Sequence, residues 1–230
     1  HKNILHTLKT YRLDGKPLIE QEDEIGAVSD LMIKSINFFE RNTFWDELQG
    51  YATELFNYLD SKDKKEYEGT YIDEKEPLMR LGILDGLFIE SVRNQEGCTS
   101  FVLCKKVAGG NVDLKSRALQ YTILRSNHPP GFHKSLSVTL TPLIGSIAGV
   151  NEKSIGVFLN TLRPKNGLER DYKKILKDYG TIKDEDEKES FLRSHAGLPP
   201  SLVVQKILNE ASSLNKAKEI AENTPCISGY

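Results

Sequence analysis

The chain has 230 residues, of which 38% are hydrophobic and 28% charged, with 31 basic side chains against 33 acidic ones and a formal net charge of -2. That is enough apolar material for one substantial core or two modest ones, and the near balance of charge argues against a nucleic-acid partner held by a basic surface. No apolar run reaches the roughly 18 residues a membrane span needs, and the three cysteines, Cys98, Cys104 and Cys226, show neither CxxC nor Cys/His metal spacing, so no disulfide framework and no metal centre is expected.

In chain order, residues 1–97 read as mostly helical. Ile25, Val28, Leu31, Met32, Ile36 and Phe39 recur at steps of three and four, the stripe of an amphipathic helix. Thr43-Phe44-Trp45-Asp46 reads as a capping box at the start of a second helix, with Tyr51, Leu55, Phe56 and Leu59 on its buried face. A charged stretch from Ser61 to Glu68 is expected to be solvated, and Leu78 to Val92 gives a third apolar segment leading to Gly97-Cys98. From Cys98 the pattern changes. Phe101 to Leu103 reads as a buried strand, and Ala108-Gly109-Gly110-Asn111 as a hairpin turn leading into Val112 to Tyr121. Leu136, Val138 and Leu140 alternate with Ser137, Thr139 and Thr141, the period of a half-buried strand. Asn151-Glu152-Lys153 reads as a turn before a strand over Ile155 to Asn160, giving about five strands paired mainly antiparallel. Beyond Gly167 the chain turns helical again. Lys183 to Glu189 reads as a solvated loop or helix face, Pro199-Pro200-Ser201 as the start of a helix buried through Leu202, Val203, Ile207 and Leu208, and Leu214 to Glu222 as a last helix.

A cysteine that follows a glycine at the head of an apolar run is what a self-cleaving amidase needs. Rearrangement at Gly97-Cys98 exposes a residue carrying both a thiol, with pKa near 8.5, and an α-amine, with pKa near 8, so the pair exchanges a proton close to neutral pH. By itself Cys98 reads equally well as a small apolar residue opening a strand. His128 and His133, five apart in a loop, lack helical metal-ligand spacing, although the loop Asn127 to His133 is placed to line a pocket. Asn151 reads as a turn residue that tolerates left-handed geometry, and Cys104 and Cys226 as buried thiols.

Four stretches in order make the chain resemble the penicillin acyltransferase (isopenicillin-N acyltransferase-like) family of N-terminal-nucleophile hydrolases. It is similar, more distantly, to acid ceramidase and the bile-salt hydrolases. These stretches are Phe39 to Leu59 around Trp45; Leu84 to Ser100, ending in Glu96-Gly97-Cys98-Thr99-Ser100; Ser116-Arg117-Ala118-Leu119-Gln120-Tyr121; and Leu143 to Asn160. The resemblance implies an α+β, four-layer αββα fold with mainly antiparallel sheets. It implies a helical pro-segment or α subunit over 1–97 and the first part of the catalytic β subunit over 98–230, two subunits from one precursor.

It also implies autocatalytic cleavage between Gly97 and Cys98, and hydrolysis or transfer of an amide-linked acyl group through a thioester on Cys98. A small-molecule amide or acyl substrate is implied, with no cofactor beyond an acyl-CoA co-substrate if the group is transferred. Arg117 is the expected cation that favours the thiolate and holds a carbonyl or carboxylate, with an ordinary strand arginine as the alternative. Asn160 resembles the oxyanion-hole asparagine of the family, with a strand-end asparagine bonding its own backbone as the alternative. Thr99, Gln120 and Tyr121 are expected site neighbours, with an ordinary strand threonine as the simpler alternative for Thr99. Gln120 stands where the family pattern has an aspartate, so the chain departs there from a charged group to an uncharged one, and a catalytically inactive relative that uses the scaffold for binding or assembly is the competing reading. The chain begins at His1 rather than Met, with no secretory leader in view, and ends at Tyr230, where relatives would continue into the second sheet; a longer natural protein is therefore expected.

Overall fold

In a computed structural model of the chain, residues 12–13, 16–17, 22–40, 44–62, 98–103, 107–112, 122–140, 143–160 and 172–226 are described. Among them the chain is α+β. Strands β1 (Arg12–Leu13) and β2 (Lys16–Pro17) form a minimal pair; β3 (Cys98–Leu103) and β4 (Val107–Val112) form an antiparallel hairpin; and β5 (Thr122–Asn127), β6 (Ser135–Leu140), β7 (Ala148–Asn151) and β8 (Gly156–Phe158) form an antiparallel meander in that order. The described helices are α1 (Glu22–Phe39), α2 (Asp46–Lys62), α3 (Tyr172–Thr181), α4 (Glu185–His195), α5 (Pro200–Glu210) and α6 (Leu214–Asn223). No described helix is long and apolar enough to cross a membrane.

Register fixes the two faces of the meander. Arg125 pairs with Ser137, Ser137 with Gly149 and Gly149 with Val157, so these four form one row across the sheet. That row faces α5, which packs on β7 and β8. The approach is close: a Cβ on Gly149 would stand 2.7 Å from Leu208 Cδ1 and 2.8 Å from the Leu136 carbonyl. Only small side chains fit beneath the helix, so Ser135, Ser137 and Thr139 are the members of β6 buried there, and Leu140 at the end of the strand is buried as well. Thr139 meets its need by donating to the Gly145 carbonyl at 2.6 Å, whereas the hydroxyls of Ser135 and Ser137 have no hydrogen-bond partner among the described residues. The apolar members lie on the opposite face, with Leu124 69% and Leu136 44% exposed alongside Val150 and Phe158. The alternation in β6 is therefore as expected, but its buried side is the polar one.

Local chemistry starts and stops the helices. Pro200 occupies the first turn of α5, where a missing N–H costs nothing. Asp184 accepts from Glu187 N at 2.9 Å to cap α4, so part of the charge run from Lys183 is a helix start. Ser213 caps α6 by accepting from Lys216 N at 3.2 Å. Ile207, Ala211, Ala217 and Ile220 then close a small core between α5 and α6, with Ile155 of the β7–β8 turn and Val157 of β8 packed on it.

The N-terminal helices are built into the rest of the molecule. Leu31, Met32 and Ile36 of α1 are fully buried, and α1 packs on α3 and α4. Three polar ties join the halves: Gly197 N donates to Ser35 Oγ at 3.2 Å, Lys206 Nζ reaches Glu40 at 2.7 Å and Glu210 at 3.0 Å, and the Arg193 guanidinium lies 4.7 Å from the centre of the Phe39 ring. On α2 the described buried side chains are Leu48 and Ala52, with Phe44 just before the helix and Tyr51 half-buried. The side chains of Leu55, Phe56 and Leu59 lie outside the described set, as do Thr43, the segment from Leu78 to Val92 and Cys104.

Two expectations for the hairpin are corrected. Ala108 to Asn111 is not its turn but the body of β4, paired residue by residue with Val102 to Thr99. The glycines are there for close approach: a Cβ on Gly109 would be 2.6 Å from the Phe101 ring, and one on Gly110 would be 3.1 Å from the Phe158 ring. The apolar run Phe101 to Leu103 is also not buried, with Val102 69% exposed. The strand expected over Ile155 to Asn160 is shorter, at Gly156–Phe158. Cys226 is half-buried rather than sealed in a core, and forms an isolated parallel bridge with Leu198.

Candidate functional site

Cys98 opens β3, where its backbone pairs with Val112, followed by Thr99 with Asn111 and Ser100 with Gly110. Asn160 follows β8, whose end is held by Leu159 N donating to the Ile147 carbonyl at 2.9 Å. Because Gly110 lies against the Phe158 ring, β4 abuts β8 and carries β3 with it. The Asn160 carboxamide then reaches β3 and donates from Nδ2 to Ser100 Oγ at 2.6 Å. Ser100 stands two residues beyond Cys98, a separation of about 6.7 Å along a strand. Thr99 and Ser100 are exposed and Asn160 is half-buried, so the junction is open to solvent. One of the two amide hydrogens of Asn160 is engaged by Ser100, which leaves a second donor. Of the expected site residues, Asn160, Thr99 and the backbone of Cys98 thus fall within one junction. Gly97, Arg117, Gln120 and Tyr121 lie outside the described residues.

A second polar constellation lies on the helix-covered face of the sheet at its β5 edge. Arg125 points under α5, where Nη1 donates to the Ile144 carbonyl at 2.7 Å and Nη2 donates to Gln205 Oε1 at 2.8 Å, Ser146 Oγ at 3.1 Å and the Gly145 carbonyl at 3.2 Å. Ser146 Oγ donates to the same Gln205 oxygen at 2.5 Å, and Gln205 Nε2 donates to Asn209 Oδ1 at 2.8 Å. Glu47 of α2 approaches the guanidinium at 3.8 Å. Partial desolvation pushes its carboxyl above the usual range, and the Arg125 charge opposes that shift. One turn further along α2, burial raises the Tyr51 phenol as well, its hydroxyl lacking a hydrogen-bond partner among the described residues.

In front of this network is a cleft of about 340 Å³ lined by Glu47, Asn127, His128, Pro129, Phe132, Gln205 and Asn209. The loop between β5 and β6 thus lines a pocket, as its composition suggested. His128 Nε2 lies 3.2 Å from Ser126 Oγ, and His133 Nδ1 lies 3.4 Å from Glu152. No group of three or more His, Cys, Asp or Glu side chains stands where it could hold a metal ion among the described residues.

The sequence did not single out Ser100, Arg125 or Gln205. Ser100 closes the Glu96 to Ser100 motif without being marked there as a site residue, and Arg125 is the one charged residue in the strand Thr122 to Asn127, which marks it as a residue needing partners. Comparison of the chain with protein families, with curated proteins and with solved structures gives no match.

Proposed function

We propose that the chain belongs to a cysteine amide hydrolase or acyltransferase of the N-terminal-nucleophile class, cleaved by its own chemistry between Gly97 and Cys98. The reading rests on one observation: the Asn160 carboxamide is bonded to Ser100 on the strand that Cys98 opens. The four-layer sandwich belongs to the same proposal. A sheet with helices on one face and an apolar opposite face, exposed at Leu124, Leu136, Val150 and Phe158, is what half of such a sandwich presents.

In the proposed sequence the Cys98 thiol adds to the Gly97 carbonyl, the peptide C–N bond breaks, and water hydrolyses the resulting thioester to leave a Gly97 carboxylate and Cys98 with a free thiol and α-amine. That amine then takes the thiol proton as the sulfur attacks a substrate amide. The second N–H of Asn160 meets the developing oxyanion, and Arg117 holds thiol and substrate in place. The substrate C–N bond breaks, the departing amine receives the proton, and water or a second amine takes the acyl group from sulfur. The substrate is a small molecule with an amide-linked acyl group.

The intact mass of the purified protein tests this. Two chains meeting at Gly97-Cys98, replaced by one uncut chain in Cys98→Ala, are expected. A wild-type protein that stays whole and does not react with a thiol-directed acyl probe would turn the assignment to the inactive relative that Gln120 suggests.

A further inference from the structure

We propose that the cleft between α2, the β5–β6 loop and α5 binds a small uncharged carboxamide that carries an apolar body. Arg125 sets the polarity of the cleft wall. A guanidinium only donates, so its 2.8 Å bond to Gln205 fixes which end of that amide is oxygen. The Gln205 nitrogen must then face Asn209, and the 2.8 Å bond between them makes the Asn209 oxygen the acceptor. Asn209 is therefore left with its Nδ2 hydrogens, which have no partner among the described residues. The residue is only 5% exposed and is one of those that line the cleft. A nearly buried donor at the end of a chain anchored on a cation is polarised toward an acceptor it does not yet have.

The other walls narrow the ligand. Glu47, 44% exposed at its side chain, offers a carboxylate that accepts an N–H and repels an anion. Arg125, behind Gln205 and 3.8 Å from Glu47, offsets part of that charge, so the cleft holds no net attraction for a cation. A group presenting C=O beside N–H satisfies both walls, and Phe132 and Pro129 supply apolar surface for the body attached to it. The site is held ready: His133 N donates to the Asn209 carbonyl at 2.8 Å, which ties the loop to α5, and Phe132 N donates to the Pro129 carbonyl at 3.2 Å, which closes a turn within the loop. A volume of about 340 Å³ lies within the range of small-ligand sites. The cleft sits at the β5 edge of the sheet, the opposite edge from β8 and Asn160, so it is a separate site that stands whether or not Cys98 acts as a nucleophile.

The test is a titration of the full chain with N-acetyl-L-phenylalaninamide, read by NMR at the assigned side-chain amide of Asn209, with N-acetyl-L-phenylalanine as the charged counterpart. Saturable shifts with a millimolar Kd are expected for the amide, and binding at least about fivefold weaker for the acid, equivalent to one unfavourable charge contact. Asn209→Leu is expected to weaken the amide about tenfold, the worth of one hydrogen bond, and Phe132→Ala several-fold. If Asn209→Leu does not fold, Phe132→Ala in the surface loop and the amide–acid comparison decide. Absence of saturation, equal binding of acid and amide, or affinity untouched by the variants that fold overturns the proposal.

Discussion

Asn151 makes a demanding test of how the sheet is joined to α5. Its side chain is buried, and all four of its hydrogen-bonding positions are used. Nδ2 donates to the carbonyls of Leu208 at 3.1 Å and Ala211 at 2.8 Å, while Oδ1 accepts from Lys153 N and Ile155 N, both at 3.0 Å. One carboxamide therefore satisfies the C-terminal end of α5 and shapes the β7–β8 turn. In Asn151→Ala the two helix carbonyls, on residues with no solvent exposure, lose their donor at about 1–2 kcal/mol each. The two turn N–H groups, which water can reach, lose about 0.5 kcal/mol each, for a total of about 3–5 kcal/mol. Guanidinium unfolding followed by far-UV circular dichroism and by fluorescence of the single tryptophan, Trp45, measures it. Asn151→Asp is expected to be at least as damaging at neutral pH, because it brings a carboxylate to the negative end of a helix dipole. The introduced carboxyl would have a folded-state pKa raised above its unfolded value, so the deficit grows as pH rises through that value and is relieved in acid. A loss under about 1 kcal/mol in Asn151→Ala, with unchanged denaturant slope, would mean that this carboxamide does not hold α5 to the sheet.

Other expectations follow from the same structure. Lys206→Met takes the ammonium from Glu40, whose side chain is 6% exposed, and is expected to cost about 3–5 kcal/mol. Burial works against the charged form of Lys206, but the hydrogen bonds and charges of Glu40 and Glu210 outweigh it and raise the pKa. The stabilisation is complete below the ordinary lysine value of 10.5 and lost as pH rises through the folded-state value, so alkaline denaturation profiles of wild type and Lys206→Met converge at high pH. Gly145→Ala would place a methyl 2.5 Å from Ser201 Cβ and 2.6 Å from its backbone carbonyl carbon; a loss of about 3 kcal/mol is expected, seen calorimetrically as a fall in Tm of about 6–12 °C. Under the proposed chemistry, Asn160→Ala lowers kcat about 10²–10³-fold while leaving the melting temperature within about 2 °C, since the side chain is half-buried with one described bond.

The elements that could be read from sequence are those with local causes. Pro200 and Ser213 set where α5 and α6 begin, and the alternation through Leu136 to Leu140 gives β6, because capping and strand period act over a few residues. Which face of β6 is buried could not be read the same way. It depends on how near α5 comes, and that is set by Gly149 opposite Leu208, about sixty residues apart. Gly109 and Gly110 misled for a related reason: paired glycines usually mark a turn, but here they make room for the rings of Phe101 and Phe158. The Asn160–Ser100 bond joins residues sixty apart, and Arg125 reaches across eighty to Gln205. Asn151 was legible as a turn residue, but the positive φ in that turn belongs to Ser154 at 62°. Its role in holding α5 has no signature in the neighbouring residues.

The ties between α1 and the later helices bear on what happens to a chain nicked anywhere between residues 62 and 98. The polypeptide would then be two strands of peptide gripped by Ser35 on Gly197, Glu40 on Lys206 and the sealed side chains of Leu31, Met32 and Ile36. Unfolding of the intact chain is unimolecular, whereas that of the nicked form releases two pieces. Its midpoint should therefore climb with protein concentration, and dilution alone should become a denaturant.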